Sequence, residues 1–402
     1  MQIAQVVPKT KTQKEAIFDY AIPPEILPQV KPGILVEVPF HGRKLPGIVL
    51  KLSRFTHLRN NLKKIIKIID PLPVVDETHI QLAKWMSDYY SVSLGKTLFE
   101  NVVPPAKKVL DKFILRSKNS TISAGAINVE KEKKKLPKKY LVMANFQERM
   151  AFYLQATQKT IAQKKQVIII VPDLSVIYLF TKHFKQSYAI IHSGLTLKER
   201  FLQWHKIRSG KVETVIGSIS ALFSPLPNLG LIIIDQEENE TYKNDRNPRF
   251  HTVKVAEILC KLTAVNLVIG SITPRVETYY QALKNNYILK KPFSKMAKPL
   301  NTIVNMNSER QILSLPLQKE IDQQLSQKQK ILLVFNRKGE GQNLSCSDCK
   351  WIYLCSQCSL PLIPQSQEAV CFHCEKSFKI PEKCPQCRNA HLKPFGLGTK
   401  RL

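Results

Sequence analysis

The chain has 402 residues, of which 44% are hydrophobic, so it can bury the cores of about two to four domains. Its 61 lysines and arginines outnumber 31 aspartates and glutamates, and the net charge of +30 favours a polyanionic partner, although a general lysine bias from AT-rich coding is an alternative explanation. The longest apolar runs are only strand-length and residues 1–10 lack a secretory leader pattern, which argues against a membrane or secreted protein.

Residues 1–103 are predicted to form one small, β-rich domain. Short apolar runs at Phe18–Ile22, Ile34–Phe40 and Gly47–Leu52 are separated by turn residues, which is the pattern of short strands. A helix is predicted at Asp76–Tyr90, because it opens with an aspartate cap and its apolar residues recur along one face.

Residues 104–139 are predicted to be a basic, flexible linker. Ten lysines lie within residues 107–139, and the stretch between them has little hydrophobic pattern. The segment is also shorter than the roughly 40 residues below which a domain seldom folds unaided. It should therefore separate two folded regions without forming a core of its own.

Strands alternate with helices between residues 140 and 299, which predicts an α/β domain with a parallel sheet. The strands are apolar on both faces, as expected when helices cover both sides of the sheet. They are predicted at Gln166–Val171, Ala189–His192, Thr214–Gly217, Leu231–Asp235 and Asn266–Gly270. A further helix–strand unit is predicted at Pro316–Asn336.

Eight of the nine cysteines form four Cys-x-x-Cys pairs near the end of the chain. Two such pairs can complete a tetrahedral shell of four thiolates for Zn²⁺, so four pairs predict two zinc ions. The pairs are Cys346/Cys349, Cys355/Cys358, Cys371/Cys374 and Cys384/Cys387. Disulfides are the alternative, but the lack of a leader disfavours an oxidising compartment. The spacing permits nested or sequential grouping of the pairs.

The sequence resembles the PriA family of bacterial replication-restart helicases in three regions, in the same order. The first contains FDYAIP and VKPGILVEVPF, the second contains IIHSGLTLKERF, LIIIDQEENETYKND and GSITPRVET, and the third is the cysteine array followed by GLGTKRL. The resemblance covers nearly the whole chain except the linker. It implies a cytoplasmic, nucleoid-associated protein.

The fold class implied is a multidomain α/β protein. A 3′-end DNA-binding domain is expected at 1–103, a RecA-like helicase lobe at 140–299 and the start of a second lobe at 300–343. A double zinc-binding module at 344–390 would interrupt this partial second lobe, with a tail at 391–402. Because the sequence has no room for the rest of that lobe, we expect a truncated family member.

Two motifs of the family's ATP site are degenerate in this sequence. The glycine-rich phosphate loop is replaced by MANFQERM at Met143–Met150, with Arg149 where the family has its lysine. The family's Asp-Glu-Glu-His box begins at Asp235 but continues with Gln236, which cannot accept a proton from water. The family carries an ATP site, but these departures from its pattern imply no catalytic residue at Arg149, Asp235 or Gln236, and neither ATP nor Mg²⁺ as a cofactor.

The resemblance places a 3′-end pocket in the first domain, at Phe18, Asp19, Gly33 and Lys63. Phe18 would stack on the terminal base, Asp19 would accept a hydrogen bond from the 3′-hydroxyl, and Lys63 would meet a phosphate. Gly33 would permit close approach of the strand. The alternatives are a core phenylalanine, a turn aspartate and a glycine required by a Pro-Gly turn.

The resemblance implies a second DNA contact in the loop that follows the Asp235 motif. Aromatic and basic residues alternate there, and Tyr242, Lys243 and Arg249 are the candidate contacts with single-stranded DNA. An ordinary polar loop with buried aromatic anchors is the alternative.

The resemblance also implies nested grouping of the cysteines. One zinc would be held by Cys346, Cys349, Cys384 and Cys387. The other would be held by Cys355, Cys358, Cys371 and Cys374. Filled cysteine shells leave no position for a reactive water, which indicates a structural role.

Three functions are compatible with these residues. The first is a DNA-binding replication-restart protein that recognises stalled forks or nascent 3′ ends without helicase activity. It would meet single-stranded DNA and primosome proteins, such as single-strand-binding protein and the replicative helicase or its loader. The second is an active 3′–5′ helicase in which Arg149 replaces the lysine and Glu237 the missing base. The third is a zinc-ribbon adaptor that binds protein, and a decaying reading frame is a further explanation.

Overall fold

The computed structural model describes twelve ranges of the chain. They are residues 2–10, 17–56, 62–71, 73–102, 136–184, 187–291, 300–306, 313–334, 343–365, 368–371, 373–374 and 376–395. The chain divides into two compact units, Met1–Lys295 and Met296–Leu402. Within the described ranges, no helix has the length and apolar character needed to cross a bilayer. The linker predicted at 104–139 lies outside them except for its last four residues.

The first sheet is antiparallel and has five strands in the order β2-β1-β4-β3-β5. The strands are β1 (Ile3–Pro8), β2 (Phe18–Ala21), β3 (Leu35–Phe40), β4 (Arg43–Ser53) and β5 (Lys67–Asp70). Strands β2, β3 and β4 confirm the three predicted runs, whereas β1 and β5 were not predicted. Both faces of the sheet are buried: Val36 and Val38 lie in a core on one face, whereas Leu35 and Ile48 on the other face belong to the core shared with the α/β region.

The helix that follows joins this sheet to the rest of the first unit. Helix α1 (Glu77–Tyr89) begins as predicted, because the Asp76 carboxylate accepts a hydrogen bond from the backbone N–H of His79 at 2.8 Å. Its buried face shares one hydrophobic core with the α/β region. After the short helix α2 (Leu94–Thr97), a single π-helical turn spans Leu98–Val102. The antiparallel sheet is therefore fixed to its neighbour rather than independent of it.

The second sheet has seven strands, all parallel, in the order β12-β6-β11-β10-β7-β9-β8. The strands are β6 (Lys139–Met143), β7 (Gln166–Ile170), β8 (Tyr188–Ile191), β9 (Thr214–Gly217), β10 (Leu229–Asp235), β11 (Asn266–Ser271) and β12 (Ile288–Lys290). The helices are α3 (Phe146–Ala162), α4 (Leu174–Thr181), α5 (Leu197–Arg208), α6 (Thr252–Thr263) and α7 (Val276–Leu283). All five predicted strands and the α/β fold class are confirmed, and β6 and β12 are additional.

Contacts across the first unit hold the two sheets together. The guanidinium of Arg208 on α5 lies 3.3 Å from the carboxylate of Asp70 on β5, with both side chains mostly buried. The backbone N–H of His251, just before α6, donates to the hydroxyl of Tyr90 at the end of α1. The first sheet is thereby held against the α/β core.

The second unit begins with the predicted helix and continues into small antiparallel sheets. Helix α8 (Leu315–Ser326) is capped by Ser314. The strand predicted to follow it is not formed, because no described strand pairs with residues 329–334, and Leu332 and Val334 are both 85% exposed. Strands β13 (Asn343–Cys346) and β17 (Leu392–Phe395) form one sheet. Strands β14 (Ile363–Gln365), β15 (Glu368–Val370) and β16 (Ser377–Lys379) form the other.

Candidate functional site

A cavity of about 660 Å³ opens beside the edge strand β2, and we call it the β2 pocket. It is lined by Gln5, Ile17, Phe18, Asp19, Tyr20, Pro39, Phe40, His41, Leu62 and Lys63. Its volume is in the range of roughly 300–1,000 Å³ that is typical of small-ligand sites. Three of the four residues predicted for the 3′-end site therefore lie in one cavity.

Aromatic rings form one wall of the β2 pocket. Phe18 and Phe40 meet edge to face with their ring centroids 5.1 Å apart, and His41 lies 4.5 Å from Phe40. The hydroxyl of Tyr20 donates to the carbonyl of Pro39 at 3.2 Å. Burial raises the pKa of Tyr20 to about 12, so this hydroxyl remains a donor at neutral pH. The wall presents flat apolar surface, held in place in part by the partly buried hydrogen bond between Tyr20 and Pro39.

Polar groups complete the β2 pocket. One Asp19 carboxylate oxygen accepts a hydrogen bond from the hydroxyl of Thr56 at 2.6 Å, which orients a half-buried acceptor. Lys63 is held by its backbone, since its carbonyl accepts from the N–H of Ala21, while its side chain is exposed. The pocket therefore combines aromatic faces, one anionic acceptor and one cation.

Gly33 is not among the residues that line the β2 pocket. It is buried in a turn with φ of +85°, where a Cβ atom would lie 2.0 Å from the carbonyl oxygen of Val75. Its N–H donates to the carbonyl of Val49 at 2.7 Å. Glycine is required there by the backbone turn, so the contact implied for Gly33 with DNA has no support in its position.

The end of β10 carries a buried ion pair between residues of the two degenerate ATP-site motifs. Asp235 is fully buried, and its carboxylate accepts hydrogen bonds from Arg149 Nε and the Tyr153 hydroxyl, both at 2.7 Å. Burial alone would lower the pKa of Arg149, but the hydrogen bond and charge of Asp235 outweigh it and raise that pKa. Arg149 therefore stays cationic beside Asp235. Arg149, Tyr153, Asp235 and Tyr242 form what we call the Asp235 cluster.

The backbone that precedes Arg149 is tight. Only Ala144 and Asn145 connect β6 to α3, and the Asn145 side chain accepts the hydrogen bond of the Glu148 N–H. The Ala144 carbonyl accepts from Arg149 Nη1 at 2.8 Å. The N-terminal end of α3, where a phosphate loop would offer backbone donors, is thus capped by the chain itself.

Tyr242 belongs to the interior of the protein. It is fully buried, and its hydroxyl donates to the backbone carbonyl of Asp235 and lies 3.3 Å from that of Ile170. It cannot stack on a nucleic-acid base in this position, which corrects the contact implied by the sequence. Lys243 and Arg249 are exposed, and Lys243 Nζ donates to the Arg249 carbonyl at 2.8 Å. The loop has buried aromatic anchors and exposed cations.

Of the two residues after Asp235, Gln236 has an unusual backbone conformation and Glu237 faces the interior. Gln236 has a φ of +52°. The carboxylate of Glu237 is fully buried and accepts hydrogen bonds from the Arg275 N–H at 2.7 Å and the Thr278 hydroxyl at 3.2 Å. Burial raises the pKa of Glu237. Glu237 thus joins β10 to the start of α7.

The eight paired cysteines are all free thiols and form two groups. The first group is Cys346, Cys349, Cys384 and Cys387. The second group is Cys355, Cys358, Cys371 and Cys374. This is the nested grouping, and within each group the sulfur atoms lie within 4.8 Å of one another.

The sulfur geometry of both groups fits a tetrahedral metal ion. The Cys346 and Cys387 sulfurs are 3.5 Å apart, as are those of Cys358 and Cys371, close to the ~3.8 Å edge of a tetrahedron with metal–sulfur bonds of about 2.3 Å. A hydrogen bond from the Gln357 N–H lowers the pKa of Cys355 to about 7. Two metal ions can therefore be held by this module.

Two contributions were not predicted from the sequence. Tyr153 lies four residues after Arg149, and residues at that spacing share one face of a helix, so its role could have been found from α3 alone. Phe40 and His41 enter the β2 pocket through the β3–β4 turn, where a His-Gly pair indicates a tight hairpin. Their approach to Phe18 depends on strand pairing that no local pattern specifies.

Comparison with known proteins identifies related sequences. Residues 5–104 match a family model described as the PriA 3′ DNA-binding domain. Replication restart protein PriA of Treponema pallidum is 29% identical over 395 residues, which are 92% of this chain and 60% of that protein. PriA of Bacillus subtilis is 31% identical over 264 residues, which are 62% of this chain and 33% of that protein.

The chain thus spans between a third and three fifths of the length of these two relatives. Among solved structures, the C-terminal domain of the DEAD-box protein Dbp5 covers 40% of this chain at 12% identity, and its TM-score of 0.29 is too low to carry an argument. The resemblance observed in the sequence is confirmed by the family model and the curated relatives.

Proposed function

We propose that this chain, a relative of the PriA replication restart proteins, binds DNA at forks or strand ends with a free 3′-hydroxyl and does not unwind DNA with ATP. The β2 pocket is the observation that carries the proposal. Phe18 offers a face for the terminal base, Asp19 an acceptor for the 3′-hydroxyl and Lys63 a cation for a phosphate. A 3′-phosphate would bring negative charge to the Asp19 carboxylate, so a blocked end should bind more weakly.

The Asp235 cluster supports the absence of ATP turnover. Arg149 and Asp235 satisfy each other in the interior, where removing one partner of an ion pair typically costs about 3–5 kcal/mol. Nucleotide binding would have to break that pair and open the short β6–α3 connection. The alternative helicase needs Arg149 for phosphate and Glu237 for water, yet both side chains already have buried partners.

For the cysteine groups we propose Zn²⁺, because four thiolates in a tetrahedral arrangement are a typical zinc shell. The metal would supply folding energy and hold the small sheets of the second unit together. This module is the candidate surface for primosome proteins, such as single-strand-binding protein and the replicative helicase or its loader. The relatives' names give replication restart and no partner, so the choice of partners rests on the resemblance to the PriA family described above.

The test combines binding and turnover on the purified chain. Affinity would be measured for forked DNA whose nascent strand ends in a 3′-hydroxyl or in a 3′-phosphate, and ATP hydrolysis would be measured with the same forks. We expect preference for the free end and no hydrolysis above the level of an Asp235→Ala variant. Hydrolysis that this substitution abolishes, in a variant whose circular dichroism spectrum shows that it is still folded, would favour the helicase. Equal binding to both ends would favour the protein-binding adaptor.

A further inference from the structure

The β3–β4 hairpin ends in a two-residue turn at the mouth of the β2 pocket. His41 has a φ of +43° and Gly42 a φ of +73°, which is the pattern of a type I′ turn. Phe40 and Arg43 flank the turn and are paired across the two strands. Because directly paired residues project from the same face of a hairpin, Arg43 leaves the strand on the same side as Phe40.

Phe40 lies in the pocket wall, so this pairing places the Arg43 side chain on the pocket's side of the hairpin. Arg43 is exposed, and within the described ranges its guanidinium has no ion pair or hydrogen bond with another side chain. His41 is also exposed and lines the cavity. The rim therefore offers an unpaired cation and an aromatic ring next to the Phe18 face.

The charges around the pocket favour a phosphate at this rim. Among the described residues that line the cavity, Asp19 is the only acidic one, and it accepts a hydrogen bond from Thr56. Lys63 is the lining cation and is already assigned to the terminal phosphate. Arg43 is then a second cation, available for the next phosphate along the strand, and guanidinium groups suit phosphate geometry.

We propose that the β3–β4 turn extends the β2 pocket to a second nucleotide. The His41 ring stacks on the penultimate base, and Arg43 contacts the phosphate on the 5′ side of that nucleotide. The ligand is then a strand end of at least two nucleotides rather than a single terminal nucleotide. The proposal rests on the proposed function, because it assumes that the terminal nucleotide occupies the pocket.

The test compares two competitors against a labelled oligonucleotide with a free 3′-hydroxyl bound to the full chain. The competitors are thymidine 5′-phosphate and the corresponding 5′-phosphorylated dinucleotide, and the variants are Arg43→Gln and His41→Asn. Asparagine tolerates a positive φ, so it preserves the turn. Lys84→Gln is the charge-matched control, since Lys84 is exposed on α1 and does not line the pocket.

We expect the dinucleotide to compete at least tenfold better than the mononucleotide with the unchanged protein. Arg43→Gln should reduce that ratio about threefold to tenfold without changing mononucleotide binding, and Lys84→Gln should leave the ratio unchanged. His41→Asn should also reduce the ratio about threefold to tenfold, because the dinucleotide loses a stacking face that the mononucleotide does not use to the same extent. Arg43→Gln should also reduce the salt dependence of oligonucleotide binding by about 0.7 in the log–log slope. Melting temperatures equal to that of the unchanged protein would show that the variants fold.

Two negative results have different meanings. If Phe18→Ala weakens free-end binding but Arg43→Gln leaves both the ratio and the salt slope unchanged, the pocket stands and the second-nucleotide site is refuted. If the unchanged protein binds free and blocked ends equally, the proposed function fails and the extension fails with it.

Discussion

The β2 pocket and the Asp235 cluster both gather aromatic and charged side chains, but they satisfy them in opposite ways. In the pocket, Lys63 and the rim residue Arg43 point their charges to solvent. In the cluster, Arg149 and Asp235 are buried against each other. A site can bind a ligand when its polar groups can still form hydrogen bonds or ion pairs. It becomes part of the core when those groups already form these interactions with one another.

The cysteine groups are a third case. Their members face one another, as in the Asp235 cluster, but four thiolates carry the same charge and cannot satisfy each other. The metal ion proposed above would supply the cation that stabilises such a group of thiolates. The three regions thus differ in the partner of their charged side chains. It is an optional ligand in the β2 pocket, a residue of the same chain in the Asp235 cluster, and an obligatory bound cation in the proposed metal sites.

The largest expected effect is metal removal, which tests the obligatory case. Two equivalents of zinc should be found in the purified chain, and a strong chelator should unfold the second unit, because a structural zinc contributes about 10–16 kcal/mol of apparent folding energy. Metal analysis and circular dichroism would measure both. Cys355→Ser should remove about one equivalent, whereas Cys260→Ala should retain two, since buried Cys260 lies outside both groups. Retention of structure after complete metal removal would contradict this.

The next largest effect tests whether the Asp235 cluster belongs to the core. Asp235→Ala should lower the free energy of unfolding by about 3–5 kcal/mol, because it leaves the Arg149 guanidinium buried without its partner. Urea unfolding would measure the loss. Asp245→Ala, in an exposed loop, is the matched control and should change it by less than about 0.5 kcal/mol. Similar stability of the two variants would mean that the cluster is as open as the β2 pocket.

Structural features that depend on residues close in the sequence were predictable, whereas features that depend on tertiary packing were not. The Asp76 cap and the apolar parallel strands depend on neighbouring residues and were found. The spacing of the cysteines indicated two metal sites but left their grouping open. The burial of Tyr242 depends on packing beneath β10, and a loop sequence rich in aromatic and basic residues does not reveal which rings point inward.

The lack of tertiary information in the sequence also explains the other differences between the predictions and the structure. The sequence cannot distinguish a glycine required by a backbone turn, such as Gly33, from a glycine that makes room for a ligand. Both positions need a residue without a Cβ atom. The apolar run at residues 331–334 has the composition of a strand, but a strand needs a neighbour to pair with, and none is described beside it. Arg149 could be read as a poor replacement for a lysine, yet its pairing with Asp235 requires helix α3 to pack against the end of β10, which the sequence does not show.

A smaller effect tests the β2 pocket, where the polar groups remain accessible to a ligand. Phe18→Ala should weaken binding to free 3′ ends by about 1–3 kcal/mol, roughly fivefold to a hundredfold, by removing one stacking face. Asp19→Asn should instead reduce the preference for a 3′-hydroxyl over a 3′-phosphate, because a like-charge repulsion is lost. Fluorescence anisotropy would measure both, with Phe55→Ala as the control, since Phe55 is exposed outside the pocket. Equal loss in the Phe55 variant would assign the effect elsewhere.

The smallest expected effect is a pH dependence beside the Asp235 cluster. Burial, together with the charge of Arg275, lowers the pKa of His251 from its ordinary value of 6.5 to about 4. Between these values the unfolded chain binds a proton that the folded chain does not, so the free energy of unfolding should fall as the pH falls from about 6.5 to 4. Since His251 is only partly buried, we expect a contribution of about 1–2 kcal/mol.

Urea unfolding at pH 7 and pH 5 would measure this contribution as a difference between variants, which cancels the titration of other groups. His251→Gln should lose less stability on acidification than the unchanged protein, while His183→Gln, at an exposed position, should lose the same amount. If His251→Gln and the unchanged protein respond identically, His251 is solvated in the folded state. This edge of the sheet would then be accessible to water in the way that the β2 pocket is, and its closure would be confined to the Arg149–Asp235 pair.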